Sequence, residues 1–342
     1  MTKVLSDFPE NDNLPLRKLK NRLLAVLPKN RNIALCLADI LNLSKESIYR
    51  RLRGETSFTF EELVILRHKL GISVDELSGD ADNISFSFRP LYGKPQELQV
   101  YLSEIIVRFK KLTHIENSNT YNVCEDLPFF RQFGYDALSS FKLFYWKHSI
   151  LQDSDYTQKK FGLDTISPNI LELTQTIHQL YSAVPSTEIW TEKTVFNTLK
   201  QIEYYYDCGL FESDDSAKAV YLDLQKLLDN LISEASQGYK MTSSSVPGGN
   251  FQLHLCELSL DNNSIFLETN EPKYLAMGFN SFNSLHTSDT RLLAEYKHWL
   301  MAMISKSTAI SGQAERIRHD FYKYNTSLII KSANSRLSNP LF

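Results

Sequence analysis

The sequence predicts an N-terminal all-α bundle of about five helices followed by a larger mixed α+β domain. The first 80 residues carry apolar side chains at helical spacing with frequent capping signals. The remainder alternates long amphipathic stretches with short strand-like runs. A length of 342 residues is also too great for one small bundle, so at least one further domain is expected.

The central two helices of the bundle are separated by only a few residues. Residues 33–41 place apolar side chains on one helical face, and residues 45–53 form a second short helix. Between them, Asn42 suits the positive φ of a tight turn and Ser44 is a favoured N-cap. Gly54 is suited to end the second helix. So short a break predicts a turn between two packed helices rather than a linker.

Further helices are predicted on both sides of this pair. Upstream, residues 16–27 carry leucines at helical spacing before a proline. Downstream, Thr59 and Glu62 have capping-box spacing ahead of another helix that Gly71 can end. Residues 73–76 have the same capping-box spacing and predict the start of a last helix.

The second helix of the pair has few apolar side chains, of which Ile48 and Leu52 are predicted to be buried. The polar residues left outside are mostly basic: Lys45, Glu46, Ser47, Tyr49, Arg50, Arg51 and Arg53. Lysine and arginine can donate to guanine, and glutamate can accept from cytosine. An ordinary solvated helix surface is the alternative interpretation. DNA binding is favoured because the turn, the N-cap, the terminal glycine and the basic face all occur at mutually consistent positions along residues 42–54.

Residues 16–78 resemble the Xre or lambda-repressor/Cro-like helix-turn-helix domain. The matching features are a small residue at Ala38, the turn at residues 42–44, Gly54 after the recognition helix, and the pattern Leu-Gly-Ile-Ser-x-x-x-Leu over residues 70–77. The resemblance covers under a fifth of the chain. It implies a bundle whose recognition helix enters the major groove of DNA.

Two positions depart from the family pattern. Arg51 stands where the family often has an aliphatic residue, and Ala34 stands where many members have a glutamine that contacts phosphate. Either Arg31 or Asn32 is expected to replace that contact. The resemblance thus implies these DNA-binding residues: Lys45, Glu46, Ser47, Tyr49, Arg50, Arg53, Arg31 and Asn32. The best candidates for reading bases are Lys45, Glu46 and Arg50, while the others are expected to contact the backbone.

The charge distribution agrees with a DNA-binding N-terminal module. Residues 15–80 contain twelve Lys or Arg against eight Asp or Glu, a net charge of +4. Since the whole chain carries −3, the remainder carries −7. A positive module on an acidic body can bind phosphate locally without coating nucleic acid.

The chain is expected to divide into a helix-turn-helix domain at residues 15–78, a linker at 79–86 and a sensor or dimerisation domain at 87–342, with a subdomain break near 238–250. Predicted helices cover 97–115, 135–146, 169–181, 192–206, 217–232, 290–304 and 314–330. Predicted strands cover 84–88, 120–124, 187–190, 251–258 and 264–269. The last two strands are expected to form a hairpin.

Composition excludes several classes of function. No apolar run approaches the length of a membrane span, and the N-terminus lacks a signal-peptide core, so a cytoplasmic location is expected. Four scattered cysteines suggest reduced thiols. No catalytic, cofactor or metal motif is recognisable. The protein is therefore expected not to be an enzyme.

Aromatic residues crowd the middle of the chain. Four of them are candidates for lining an effector pocket: Phe141, Tyr145, Trp146 and Tyr205. At their helical and paired spacing, an ordinary core is the stronger alternative.

These observations predict a one-component transcription regulator. Its N-terminal module would bind double-stranded DNA at an inverted-repeat operator as part of a homodimer, since two half-sites multiply selectivity. Its C-terminal domain would dimerise and sense a small-molecule or protein effector. The alternative is an antitoxin or defence-system regulator whose C-terminal domain binds a protein partner.

Overall fold

The computed structural model describes residues 14–27, 32–72, 77, 84–92, 97–115, 117–242, 246–260, 262–269 and 274–341. The chain divides into two compact units, Met1–Phe86 and Ser87–Phe342. The first is helix-rich, and the second combines helices with a mixed sheet.

The described part of the first unit contains four helices: α1 (Leu14–Val26), α2 (Ile33–Leu41), α3 (Lys45–Arg53) and α4 (Phe60–Leu70). Their apolar faces enclose one core that includes Leu23, Leu37, Ile48, Leu52 and Leu66. The predicted final helix begins at residues 73–76, which lie outside the described residues, while Leu77 is buried in the same core. Pro28, the predicted end of the first helix, also lies outside them.

The second unit is organised around a sheet of eight strands among its described residues. The strands are β1 (Asn119–Cys124), β2 (Ser186–Trp190), β3 (Tyr239–Met241), β4 (Pro247–Leu255), β5 (Ser264–Glu268), β6 (Tyr274–Phe279), β7 (Asn283–Thr287) and β8 (Thr308–Ala309). Their order is β3-β4-β2-β1-β5-β6-β7, and β8 pairs with β4. The three central strands β4, β2 and β1 are parallel, and every other pairing is antiparallel.

Helices of the second unit cover both faces of this sheet. They are α5 (Glu97–Leu112), α6 (Phe129–Gln132), α7 (Asp136–Tyr145), α8 (Pro168–Ala183), α9 (Lys193–Asp207), α10 (Asp214–Gln237), α11 (Thr290–Lys306) and α12 (Glu315–Asn334), with a π-helical turn at Trp146–Ile150. Alternate strand residues point to opposite faces. Thus Val123 and Ile189 share one core with α11, whereas Cys124 and Trp190 belong to the larger core built by the other helices.

A buried ionic network joins the larger helical layer to the sheet. The Arg131 Nε atom lies 2.8 Å from both carboxylate oxygens of Glu188, and its Nη1 lies 2.7 Å from Glu234. Lys240 donates to the carbonyl of Tyr181 at 2.6 Å. Burial lowers the pKa of Lys240 to about 7. These charges are removed from water, so each depends on its partners for stability.

Seven of the eight α-helices described in the second unit lie where the amphipathic spacing predicts them, the short α6 was not predicted, and the strand prediction needs correction. The predicted hairpin of residues 251–258 and 264–269 is wrong, because β4 pairs with β2 whereas β5 pairs with β1. The eight residues that join β4 to β5 exceed a usual hairpin loop. Of predicted strand 84–88, Ser87 forms an isolated bridge with His286 and the rest is not strand.

Four of the described strands were not predicted: β3, β6, β7 and β8. The sequence of β6 contains Gly278 and has no polar alternation, while β7 reads as a polar turn. β6 pairs with β5, and β7 pairs with β6, with Ala276 opposite His286. Among the described residues, no helix is long and apolar enough to cross a membrane.

Candidate nucleic-acid interface

The turn between α2 and α3 is held by backbone hydrogen bonds and a side-chain cap. Asn42 adopts left-handed dihedrals, φ 52° and ψ 47°. The backbone N–H groups of Asn42 and Leu43 both donate to the carbonyl of Ala38. Ser44 then caps α3, because its Oγ accepts the N–H of Ser47 at 3.1 Å. The predicted roles of Asn42 and Ser44 in the turn are confirmed.

The end of α3 is defined by a glycine. Gly54 has φ 79°, and its N–H donates to the carbonyls of Arg50 and Arg51. A residue with a Cβ is strained in this conformation, which is why glycine suits the position. The helix is therefore limited to nine residues, Lys45–Arg53, with both ends fixed.

The inner face of α3 combines apolar packing with one ion pair. Ile48 and Leu52 are fully buried against the neighbouring helices. Beside them, Arg51 donates from Nε and Nη2 to the two carboxylate oxygens of Glu62, each at 2.8 Å. Glu62 also accepts the N–H of Thr59 in the capping box of α4. The Arg51 guanidinium therefore links α3 to α4 instead of reaching solvent.

The outer face of α3 carries most of the predicted contact residues: Lys45, Glu46, Tyr49, Arg50 and Arg53. At 3.6 residues per turn, they span an arc of about 140°. Ser47 lies at the edge of this arc, half-buried, with its hydroxyl accepting from Ser44 at 2.9 Å. The arrangement gives one continuous polar surface, in which Lys45, Glu46 and Arg50 are exposed while Tyr49 is half-buried against the core.

The N-terminal end of this surface is ordered by contacts around Tyr49. The Lys45 ammonium lies 5.7 Å from the centre of the Tyr49 ring. The Tyr49 hydroxyl accepts from the side-chain amide of Asn32 at 3.3 Å. Asn32 in turn caps α2, because its Oδ1 accepts the N–H of Ala34 at 2.8 Å. One asparagine thus fixes the start of α2 and contacts the exposed face of α3.

The C-terminal end of the surface is shaped by Glu55. Arg53 donates to the Glu55 carboxylate at 2.6 Å and 3.3 Å. These hydrogen bonds raise the pKa of Arg53 and lower the pKa of Glu55. Arg50 lies farther away, with 3.7 Å between Nε and the carboxylate, and 58% of its side chain is exposed. Arg50 is therefore more open than Arg53 to an incoming ligand.

The residues proposed for the phosphate contact near α2 occupy different environments. Ala34 is buried at 2% exposure, so its side chain cannot reach a ligand. Asn32 is exposed and has one amide hydrogen beyond the contact with Tyr49. Arg31 lies outside the described residues.

The four aromatic residues considered for an effector pocket lie in the larger core of the second unit. Phe141, Trp146 and Tyr205 are at most 2% exposed, and Tyr145 packs against the same core. The Phe141 and Tyr205 rings meet edge to face at 5.3 Å. Their packing corresponds to the alternative interpretation, an ordinary core.

The ion pair of Arg51 with Glu62 was missed by sequence reasoning. Its signal is visible in retrospect: an arginine stands in line with the buried positions of α3, and Glu62 occupies the capping-box position of the next helix. Pairing the two requires knowing how α3 and α4 pack.

The comparisons with known proteins supply no relative. No protein-family model matches the chain, and neither the curated proteins nor the solved structures contain a match.

The outer face of α3 offers both donors and acceptors for charge-assisted hydrogen bonds. Lys45 and Arg50 are exposed donors, and Glu46 is an exposed acceptor beside them. Ser47 and Tyr49 add neutral hydroxyls. Such a surface fits a polyanion that also presents hydrogen-bonding edges.

Proposed function

We propose that this protein is a sequence-specific DNA-binding transcription regulator that acts as a homodimer. The observation that carries the proposal is the fixed geometry of α2, the turn and α3. Caps at Asn32, Ser44 and Gly54 set the helix ends, and Lys45, Glu46 and Arg50 of α3 are exposed. This is the arrangement in which a recognition helix enters the major groove.

In the proposed complex, residues near the start of α3 read base edges. Lys45 and Arg50 donate to O6 and N7 of guanine, and Glu46 accepts from N4 of cytosine. Each good bidentate contact contributes about 1 to 3 kcal/mol of discrimination between bases. Arg53, already paired with Glu55, is better placed as a phosphate contact.

Phosphate contacts complete the proposed interface. Tyr49 and Asn32 form one hydrogen-bonded unit whose hydroxyl and amide hydrogens can contact the DNA backbone. The net positive charge of residues 15–80 favours approach to DNA, and the acidic remainder limits binding elsewhere. The second unit is assigned to dimerisation and to sensing an effector.

The proposal is tested by selecting bound fragments from a random duplex pool with the full-length protein at near-physiological salt. We expect enrichment of a spaced inverted repeat. The variant Lys45→Ala/Arg50→Ala should lose that enrichment. The matched control is Arg67→Ala/Lys69→Ala, which removes two exposed positive charges from α4 instead.

Two results would contradict the proposal. One is the absence of any enriched sequence with the unmodified protein. The other is an equal loss of enrichment in both double variants, which would indicate general attraction of DNA to positive charge rather than reading by α3. Unchanged circular dichroism of each variant is the check that folding is retained.

A further inference from the structure

The second unit contains a cavity between α5 and the half of the sheet formed by β1, β5, β6 and β7. The strand register brings the sheet residues of its wall to one face. Ile265 pairs with Ala276, which pairs in turn with His286. Two residues along the same strands, Leu267 pairs with Tyr274. All five residues line the cavity, so α5 and this face of the sheet enclose one continuous space.

Apolar side chains form most of the cavity wall. Ile105 and Phe109 of α5 lie on one side, and Ile265 of β5 lies on the other. The small side chain of Ala276 leaves space opposite the helix. The cavity has a volume of about 120 Å³, whereas a closed apolar cavity of about 150 Å³ can hold benzene. The space therefore suits an apolar group about the size of one ring.

One positive charge lies at the edge of this cavity. Arg108 lines the cavity and is also exposed to solvent. Its Nη1 donates to the Tyr274 hydroxyl at 3.0 Å, and a guanidinium has five N–H donors. Within the part of the chain that the structure describes, no carboxylate forms an ion pair with Arg108. The guanidinium therefore keeps donors for an anion that enters the cavity.

The other titratable side chains of the wall do not offset this charge. Glu104 is already paired with Arg89. Burial and the positive charge of Arg108 lower the pKa of His286 to about 4, so the imidazole is neutral at pH 7. Burial raises the pKa of Tyr274 to about 12, so the phenol is neutral as well. An anionic ligand would thus find a counter-ion in Arg108, whereas a cationic ligand would be repelled by it.

The spacing along α5 sets the shape of the ligand. Ile105 precedes Arg108 by three residues, which places it on the same helical face and about 4.5 Å along the axis. A carboxylate joined directly to a ring can contact the guanidinium while the ring lies beside Ile105. Arginine binds a carboxylate through two parallel N–H groups. Because Arg108 is exposed, the carboxylate keeps part of its hydration, which limits the cost of burying its charge.

We propose that this cavity binds a small apolar monocarboxylate, with the carboxylate on Arg108 and an apolar group about the size of one ring between Ile105 and Ala276. The binding itself depends on the cavity and on Arg108 alone. Its use as an effector site would rest on the proposed DNA binding.

The test compares benzoate with benzamide, which have nearly the same shape but differ in charge. Each is titrated into the full-length protein at pH 7 without DNA, and binding is followed by protein chemical shifts. We expect benzoate to bind about tenfold more tightly, because it accepts charge-assisted hydrogen bonds from Arg108.

Four variants locate the site. Arg108→Met removes the charge but keeps an apolar side chain, so benzoate should lose its advantage over benzamide. Lys110→Met, also at an exposed position of α5, is the matched control and should bind both compounds as the unmodified protein does. Ala276→Leu and Ile105→Phe fill the cavity from opposite sides, and each should abolish binding of both compounds.

The proposal is overturned if the unmodified protein binds neither compound, or binds benzamide as tightly as benzoate. It is also overturned if Arg108→Met retains the preference for benzoate, or if Lys110→Met loses it equally. Unchanged benzoate binding by a filled variant that circular dichroism shows to be folded would overturn it too. Since the titration contains no DNA, its outcome is independent of whether α3 reads DNA, and the two proposals can fail separately.

Discussion

At the scale of single residues, Arg51 shows how a charge pattern can mislead. Four basic residues lie within α3, and by composition alone all could contact DNA. Arg51 instead points inward and forms two hydrogen bonds with Glu62, and both side chains are mostly buried. Arg51 is therefore a residue that joins α3 to α4.

Replacing Arg51 should destabilise the protein. Arg51→Met leaves Glu62 largely buried without its partner, and we expect a loss of about 3 kcal/mol in the free energy of unfolding. Arg51→Met/Glu62→Gln should recover part of it, since glutamine keeps the capping box without the charge. Urea unfolding followed by circular dichroism measures both effects.

Arg53→Met is the matched control, because Arg53 is paired with Glu55 on the surface. Its unfolding should stay close to that of the unmodified protein. If Arg51→Met proves no less stable than Arg53→Met, the ion pair does not hold α3 against α4.

At the scale of elements, the helices could be predicted from sequence and much of the sheet could not. Residues 217–232 repeat apolar side chains over several turns, and the observed helix Asp214–Gln237 contains them. Strand pairing depends on contacts distant in sequence. The parallel alignment of β1, β2 and β4 has no local signal, and so the turn-like residues after β4 suggested a hairpin that does not form.

In the candidate site, too, local features could be predicted and contacts distant in sequence could not. The caps at Ser44 and Thr59 could be predicted, because each depends on residues within one turn of helix. The cavity between α5 and the sheet could not be predicted, since it lies where Ala276 and Gly278 of the unpredicted strand β6 line the space opposite Ile105 of α5. The core positions of Phe141 and Tyr205 likewise depend on tertiary packing.

The burial of His286 in β7 should make stability depend on pH. Its pKa is about 4 in the folded protein and about 6.5 when unfolded, so folding favours the neutral form. This contribution is complete above pH 6.5 and is lost as pH falls towards 4. His286 is hydrogen-bonded to the hydroxyls of Tyr274 and Ser284. Arg108 donates to Tyr274, and its positive charge also lowers the pKa of His286.

Between pH 7.5 and pH 4.5, the unmodified protein should therefore lose more stability than His286→Gln does. Urea unfolding at the two pH values measures the difference. His319→Gln, at an exposed position, should follow the unmodified protein. An identical pH response in all three proteins would show that His286 is not the group responsible.

At the scale of the whole molecule, the chain combines a net charge of +4 over residues 15–80 with −7 elsewhere. One small module makes few base contacts, so selectivity requires two modules on one duplex. The proposed homodimer would supply them. In the proposed function, the confinement of net positive charge to the first 80 residues would limit attraction of the rest of the chain to nucleic acid.

The proposed dimer predicts a definite stoichiometry. The mass of the complex in solution, measured by light scattering, should correspond to two chains of 39.4 kDa on one duplex that carries two half-sites about ten base pairs apart. A duplex with one half-site deleted should bind much more weakly. A complex containing one chain on the full site would contradict the dimeric arrangement.

Reading of DNA sequence by α3 is measured by a competition titration. The affinity of the full-length protein for its enriched duplex is compared with that for a shuffled duplex at near-physiological salt. We expect a preference of about a thousandfold or more, lost in Lys45→Ala/Arg50→Ala and retained in Arg67→Ala/Lys69→Ala. Equal affinity of the unmodified protein for both duplexes would contradict the claim.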